Sequence, residues 1–436
     1  MSMSGLGESL GFLTSRLRQV GIFIALILIV LLFQVLTGGI TLAPQNVSNI
    51  IVQNSYILLL AIGMVMIIIA GHIDLSVGSL AGLIGAIAGV MIVQWGWPWW
   101  LAIVACLIVG GCLGAWQGFW VAWVGIPAFI VTLAGMLIFR GLTFITLKAQ
   151  QITPFPDPIR ALGGGFLPDL TGGQSSLEWL TVVLGVGAAA IFVFQAFRER
   201  RARQRLRLTD EPMAWFGLST AFTTALLLSI TFLLARYRGT PIVLVVLAAL
   251  VVGYSGLMGN SVFGRHIYAM GGNLHAAQLS GVNTRQVTFR IFVNMGVLSA
   301  LAGLIFTGRL NSAQPAGGTG FELDAIAAAF IGGAAVTGGI GTVAGAMVGG
   351  LIMGVLNNGM SILGLGTDYQ QLIKGLVLLL AVAFDIFNKN RSGGDSWIGK
   401  QIKNTRRAQD QTGQPTPADR IPTPAASTVP LGPERS

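Results

Sequence analysis

Residues 57–79 read ILLLAIGMVMIIIAGHIDLSVGS, and the fold follows from the change in the middle of that line. From Ile57 to Ala70 there is no charge and hardly a polar atom, in a block that approaches the ~20 residues a helix needs to cross a hydrocarbon core. From Gly71 to Ser79 the chain carries groups that are expensive to leave unpaired in lipid. Similar apolar blocks recur in both directions, beginning with Val20 to Leu36. Of 436 residues, 53% are hydrophobic and 10% charged, against roughly 25% charged in a soluble domain. These blocks are membrane spans.

Grouping the apolar blocks between polar breaks gives an all-α integral membrane protein, a polytopic bundle of about twelve transmembrane or re-entrant helices. They fall at 20–37, 48–70, 75–94, 99–123, 127–147, 177–197, 215–235, 241–258, 287–308, 323–338, 342–364 and 369–387. An even number puts both termini on one side. Most of the 26 Lys and Arg then lie in the N-terminal segment, the even-numbered connections and the C-terminal tail, which makes that side cytoplasmic by the positive-inside rule. The expected organisation is a cytoplasmic segment 1–19, a transmembrane domain 20–390 with a cytoplasmic loop at 259–286, and a disordered cytoplasmic tail 391–436, rich in Pro, Thr, Gln and charge. The first block follows Arg16 and Arg18, runs too long for a secretory h-region and lacks a cleavage motif, so it reads as the first span.

The net charge of +10 is a topology signal before it is a nucleic-acid signal. Its densest cluster, Arg198 to Arg207, sits between two spans. Sixty glycines point to closely packed helices, because small residues let backbones approach where lipid supplies no hydrophobic drive. Cys106 and Cys112, six apart in one apolar segment, have no metal-ligand spacing. The 148–176 connection, with Pro154, Pro156, Pro158 and Gly163 to Gly165, reads as an ordered external loop. Helix 323–338 is short, and the break Gly338-Gly339-Ile340-Gly341 joins it to the next with almost no loop, as in a re-entrant hairpin lining a pathway.

No P-loop is present: the only Gly-Lys pair, Gly399-Lys400, is followed by Gln401. Asp74, Glu322, Asp324, Asp368 and Asp385 sit mostly at expected helix ends, which argues against a proton or sodium symporter. Asp74 reads either as an N-cap or, with His72 and Ser76, as part of a polar pathway. Glu322 and Asp324 read as dipole partners in a first turn or as contacts for an external partner. Asn357-Asn358 reads equally as interhelical bonding or as solute contact. Arg140 lies deep in its span and has no acidic partner nameable from sequence. Between long spans, Phe263 to Arg285 carries its own helix signals. Asn273 caps, Leu274 to Ser280 forms about two turns, and Gly281 ends them. Ala276 and Ala277 offer a small face to another protein.

Four stretches in order carry a family resemblance: Gly71 to Ser79, Ile126 to Leu133, Gly271 through Ala276-Ala277 to Val282, and Glu322 to Ala328. Over residues 20 to 390 the chain resembles the permease subunits of bacterial ATP-binding-cassette sugar importers of the ribose and xylose class, with the extra segment at 177–260 placing it nearest the xylose branch. His72 stands where that family has a second glycine. The resemblance implies a non-enzymatic inner-membrane subunit that moves a monosaccharide by alternating access. It also implies the partners: a second copy, a cytoplasmic ATPase with two nucleotide-binding cassettes, and a periplasmic sugar-binding protein. No nucleic acid, metal or cofactor is expected in the chain, since ATP and Mg belong to the ATPase. The implied ATPase-coupling residues are Gly272, Asn273, Ala276, Ala277, Gln278, Ser280 and Gly281. The expected pathway residues are Asp74, Ser76, Phe129, Thr132, Asn357 and Asn358. The competing expectation is a proton-coupled secondary sugar transporter.

Overall fold

The computed structural model describes residues 21–169, 177–205 and 213–392. The segment 1–19, Arg207 and the tail beyond Ser392 lie outside the described residues. The chain divides into two units, Met1–Val382 and Ala383–Ser436, and the described part of the second is helical.

Sixteen helices follow one another: α1 (Gly21–Leu36), α2 (Pro44–Gln53), α3 (Ser55–Ile69), α4 (Val77–Gly89), α5 (Trp99–Phe119), α6 (Ala128–Leu147), α7 (Asp157–Gly164), α8 (Trp179–Arg205), α9 (Met213–Ala235), α10 (Ile242–Asn260), α11 (Val262–Gly272), α12 (Leu274–Leu279), α13 (Thr284–Leu310), α14 (Phe321–Ile331), α15 (Val343–Ile362) and α16 (Thr367–Ser392). Among the described residues the only β pairing is two isolated bridges. Among the described residues eight helices are long and apolar enough to cross a membrane, α4 counted with its π-helical continuation Val90–Gln94, or nine if the bent α2–α3 pair is one span. Of the expected twelve transmembrane or re-entrant helices, α1, α14 and α16 are not among these nine; α14, at 11 residues, covers only about half a bilayer.

α3 occupies the centre. It is apolar on every side, and every residue from Ile57 to Ile69 is buried, which is where a helix without a polar face belongs. Around it pack α10, α11, α13, α14 and α15. The expected helix 48–70 is broken at Asn54, with α2 and α3 meeting at 46°. The buried Asn54 amide donates to Ile50 O at 2.9 Å and to Gly354 O at 3.3 Å, so a side chain takes over carbonyls at the bend.

α13 lies against α5 through small residues. A Cβ on Gly114 would fall 2.3 Å from Phe292 O, and one on Gly296 would fall 2.2 Å from Gly110 O. The two backbones touch, as the glycine content leads one to expect. α8 and α9 pack chiefly on each other, and their arginine-rich connection continues α8 well past the expected end at 197.

The expected helix 323–338 stops at Ile331. Gly333 adopts φ +89°, and residues 332–342 continue as irregular backbone. Gly339 N donates to Ile69 O at 2.8 Å, and a Cβ on Gly271 would lie 1.6 Å from that same oxygen and 2.4 Å from Gly339 N. The ends of α3 and α11 and the α14–α15 link therefore meet backbone to backbone. At the α3 end Gly71 takes the left-handed conformation, φ +85°, whereas His72 does not. The histidine therefore costs the break no backbone freedom.

Candidate functional site

α14 begins inside the bundle. The loop from Pro315 to Gly320 turns twice through left-handed glycines, Gly318 at φ +80° and Gly320 at φ +83°. It lies against α4 so closely that a Cβ on Gly82 would fall 2.2 Å from Gly317 O. The helix that follows opens with Phe321, Glu322 and Asp324, all buried. The acidic residues do stand at a helix end, as the sequence reading has it, but that end is interior. A helix that starts inside a bundle presents free backbone N–H groups and a positive dipole end there, the pattern by which discontinuous helices form solute sites in transporters.

Asp324 is 3% exposed and, among the described residues, has one charged partner. Lys374 on α16 pairs with it at 3.1 Å, and Asn357 on α15 and Tyr56 on α3 lie beside it. Tyr56 stacks on Phe321 with ring centroids 3.8 Å apart, and Phe306 meets both rings edge-on. Nearby, Arg309 Nη1 donates to Gln53 O at 3.4 Å. Aromatic faces beside a carboxylate, an amide and a lysine suit an uncharged polyol, which presents C–H faces and hydroxyls together. Tyr56, Arg309 and Lys374 were not singled out from sequence. A tyrosine two residues beyond a helix-breaking asparagine, and a lysine inside an apolar run, were the available signals.

A second polar group lies at the α3–α4 break. Asp74 is 2% exposed; its Oδ1 accepts from Ser76 N at 2.8 Å and from Ser76 Oγ at 2.6 Å. α4 begins at Val77, three residues further on, with Ser76 at the N-cap position, so Asp74 forms an Asx turn ahead of the helix and is not the N-cap itself. Gln117 Nε2 on α5 donates to Ser76 Oγ at 2.8 Å, and Thr132 Oγ1 on α6 donates to Ile73 O at 3.4 Å. His72 faces Phe292, ring centroids 6.1 Å apart.

The expected pathway residues thus separate. Asp74, Ser76 and Thr132 come together, with Gln117 added. Phe129 is 54% exposed on the outside of α6. Asn358 makes a reciprocal amide pair with Asn46 of α2 at 2.8 and 3.0 Å, and so ties two helices. Asn357 belongs to the α14 site. Arg140, for which sequence offered no acidic partner, acts electrostatically on Glu322.

In the segment between α10 and α13, Asn273 Oδ1 accepts from Ala276 N at 3.0 Å, and Gly281 takes φ +83°. Gly272, Asn273, Ala276, Gln278, Ser280 and Gly281 are exposed on α12 and its ends. Ala277 is 4% exposed and packs into the protein's own core. The expectation of a small outward face at Ala276 and Ala277 is corrected on that point. What α12 turns outward is Leu279, 91% exposed, with Leu274 at 45%.

Residues 46–382 match the family described as branched-chain amino acid transport system / permease component. The chain belongs to this permease family. It is accordingly a multi-pass protein of the inner membrane. Among curated proteins, the xylose transport system permease protein of Haemophilus influenzae is 42% identical over 368 residues, 84% of this chain and 96% of that one. The xylose transport system permease protein of Escherichia coli is 41% identical, covering 84% and 91%. The ribose import permease protein of Haemophilus influenzae is 34% identical over 83% and 91%. No solved structure matches the chain at a significant level.

Proposed function

We propose that this permease carries xylose or a closely related pentose through the inner membrane as the transport subunit of an ATP-driven importer. A second copy of the chain, a cytoplasmic ATPase with two nucleotide-binding cassettes and a periplasmic sugar-binding protein complete the assembly. The observation that carries the reading is 41–42% identity to permeases named for xylose, over nearly their whole length, with the ribose permease lower at 34%. The interior start of α14, with its rings and polar groups, supports a neutral polyol over a charged solute. ATP binding and hydrolysis in the partner drive the paired permeases between inward and outward states, and α12 carries the motion.

The support for that last step is geometric. α12 is short, capped at one end by Asn273 and closed at the other by Gly281, and it turns a bare leucine outward. Leu279→Asp changes no internal contact of the bundle, and it places a charge where an apolar knob would dock. The experiment reconstitutes the permease with its ATPase and binding protein and follows xylose, ribose and leucine uptake into vesicles. Xylose uptake that needs ATP and fails in Leu279→Asp is the expected result. Uptake driven by a proton gradient without the ATPase would instead establish a secondary transporter, and preferential leucine uptake would align the chain with branched-chain amino acid transport.

A further inference from the structure

The two acidic residues at the start of α14 stand in opposite conditions. Both Asp324 oxygens lie within reach of the Lys374 ammonium, at 3.1 and 3.2 Å. Glu322, two residues earlier and 7% exposed, has its Oε2 buried with no partner. A buried carboxylate oxygen without a donor is rare enough to require a reason. It lies at the seam between α14 and α4, where Gly78 leaves the space it needs: a Cβ there would fall 2.3 Å from Glu322 Oε2. Gly78 belongs to the Gly71–Ser79 stretch, so one glycine of that signature has the task of making room for an acid. On the α4 side the neighbouring Ser79 hydroxyl is also buried without a partner.

We propose that Glu322 is a substrate-contacting residue: when α4 and α14 part, its free oxygen accepts a hydrogen bond from one sugar hydroxyl, and Asp324 serves only to hold the helices that frame the site. This inference rests on the pentose-permease reading. A sugar hydroxyl is the donor the passing solute brings. A hydrogen bond to a carboxylate is stronger than one between neutral groups, so the contact discriminates between sugars that have and lack that hydroxyl. In this arrangement the oxygen lies against Gly78.

The test uses the full transporter in vesicles with saturating loaded binding protein, and compares uptake of xylose with its monodeoxy analogues. In the wild type, one analogue should pass about tenfold less well than xylose, the scale of one charge-assisted hydrogen bond. In Glu322→Gln, xylose uptake should fall and that preference should shrink towards one. The ratio is internal to each variant, so loss of folded protein does not move it. If Glu322→Gln does not assemble, Glu322→Asp, which draws the oxygens back by one methylene, should shrink the same ratio. Glu178→Gln is the matched control. Glu178 is also 7% exposed with an unpartnered Oε1, but it lies just before α8, where its Oε2 accepts from Thr181 N at 2.7 Å. Its variant should keep the wild-type ratio. An unchanged ratio in the Glu322 variants, or an equal change in Glu178→Gln, overturns the inference while leaving the permease reading intact. A wild type that imports no pentose overturns the permease reading, and the inference falls with it.

Discussion

The Lys374–Asp324 pair ties α16 to the interior start of α14, and replacing Lys374 with Met measures what that tie is worth. The charges are 3.1 Å apart, Asp324 is almost fully buried, and Lys374 is 25% exposed. At an effective dielectric of about 20, a pair at this distance attracts by about 5 kcal/mol, and desolvation takes back much of it. Removing one partner leaves Asp324 buried without its counter-charge, which by the usual scale for broken buried pairs costs about 3 to 5 kcal/mol. Because the lysine keeps some solvent, the lower end, about 3 kcal/mol, is expected. Asp324→Asn, which keeps the shape and removes the charge, should cost a similar amount. The double variant should cost much less than the sum, with a coupling of about 2 kcal/mol. Denaturant titration of the purified permease in lipid–detergent mixtures gives all four corners of the cycle. Additive costs would refute the reasoning, because they would mean that each residue acts through neighbours other than its partner.

Gly114→Ala should destabilise the fold by about 1 to 3 kcal/mol by overpacking, since its methyl would lie 2.3 Å from Phe292 O; the same titration measures it, and Gly141→Ala, with open space around the added carbon, should be near neutral. Asn46→Ala strands the buried Asn358 amide at a cost of about 1 to 3 kcal/mol, and Asn46→Ala with Asn358→Leu should recover part of it in thermal unfolding. Asn273→Ala removes the cap on α12 at about 1 kcal/mol, and faster hydrogen exchange at the Ala276 amide, with exchange in α13 unchanged, is the expected readout.

Much of the plan was legible in the sequence because lipid makes it so: unbroken apolar runs must be helices, and the ends of α4 to α6, α9, α10 and α15 fall within a few residues of where the runs stop. What the sequence hid follows from tertiary partners. Asn54 breaks a run that reads as one helix because Gly354, 300 residues away, lends it a carbonyl. α14 ends early because irregular backbone after Gly333 finds Ile69 O and Ile340 O as acceptors. Cap chemistry at Asn273 and Gly281 was readable because it is local. Which face of α12 turned outward was not, because six residues give too little periodicity to separate Ala276 from Ala277. At the site, Asp74 and Ser76 stood out as polar groups in an apolar run. The contrast between Glu322 and Asp324 exists only in the packing of four other helices around them.

The meeting of Gly271, Ile69 and Gly339 sets how motion passes through the protein. A contact between side chains has slack, since rotamers can change before the backbone follows. Here no side chain intervenes on the α11 side, and the hydrogen bond from Gly339 fixes the third member to the same oxygen. A displacement of α11, which carries α12 at its end, therefore reaches the foot of α3 and the α14–α15 link without lost travel. The junction is a rigid bearing between α11, the foot of α3 and the α14–α15 link.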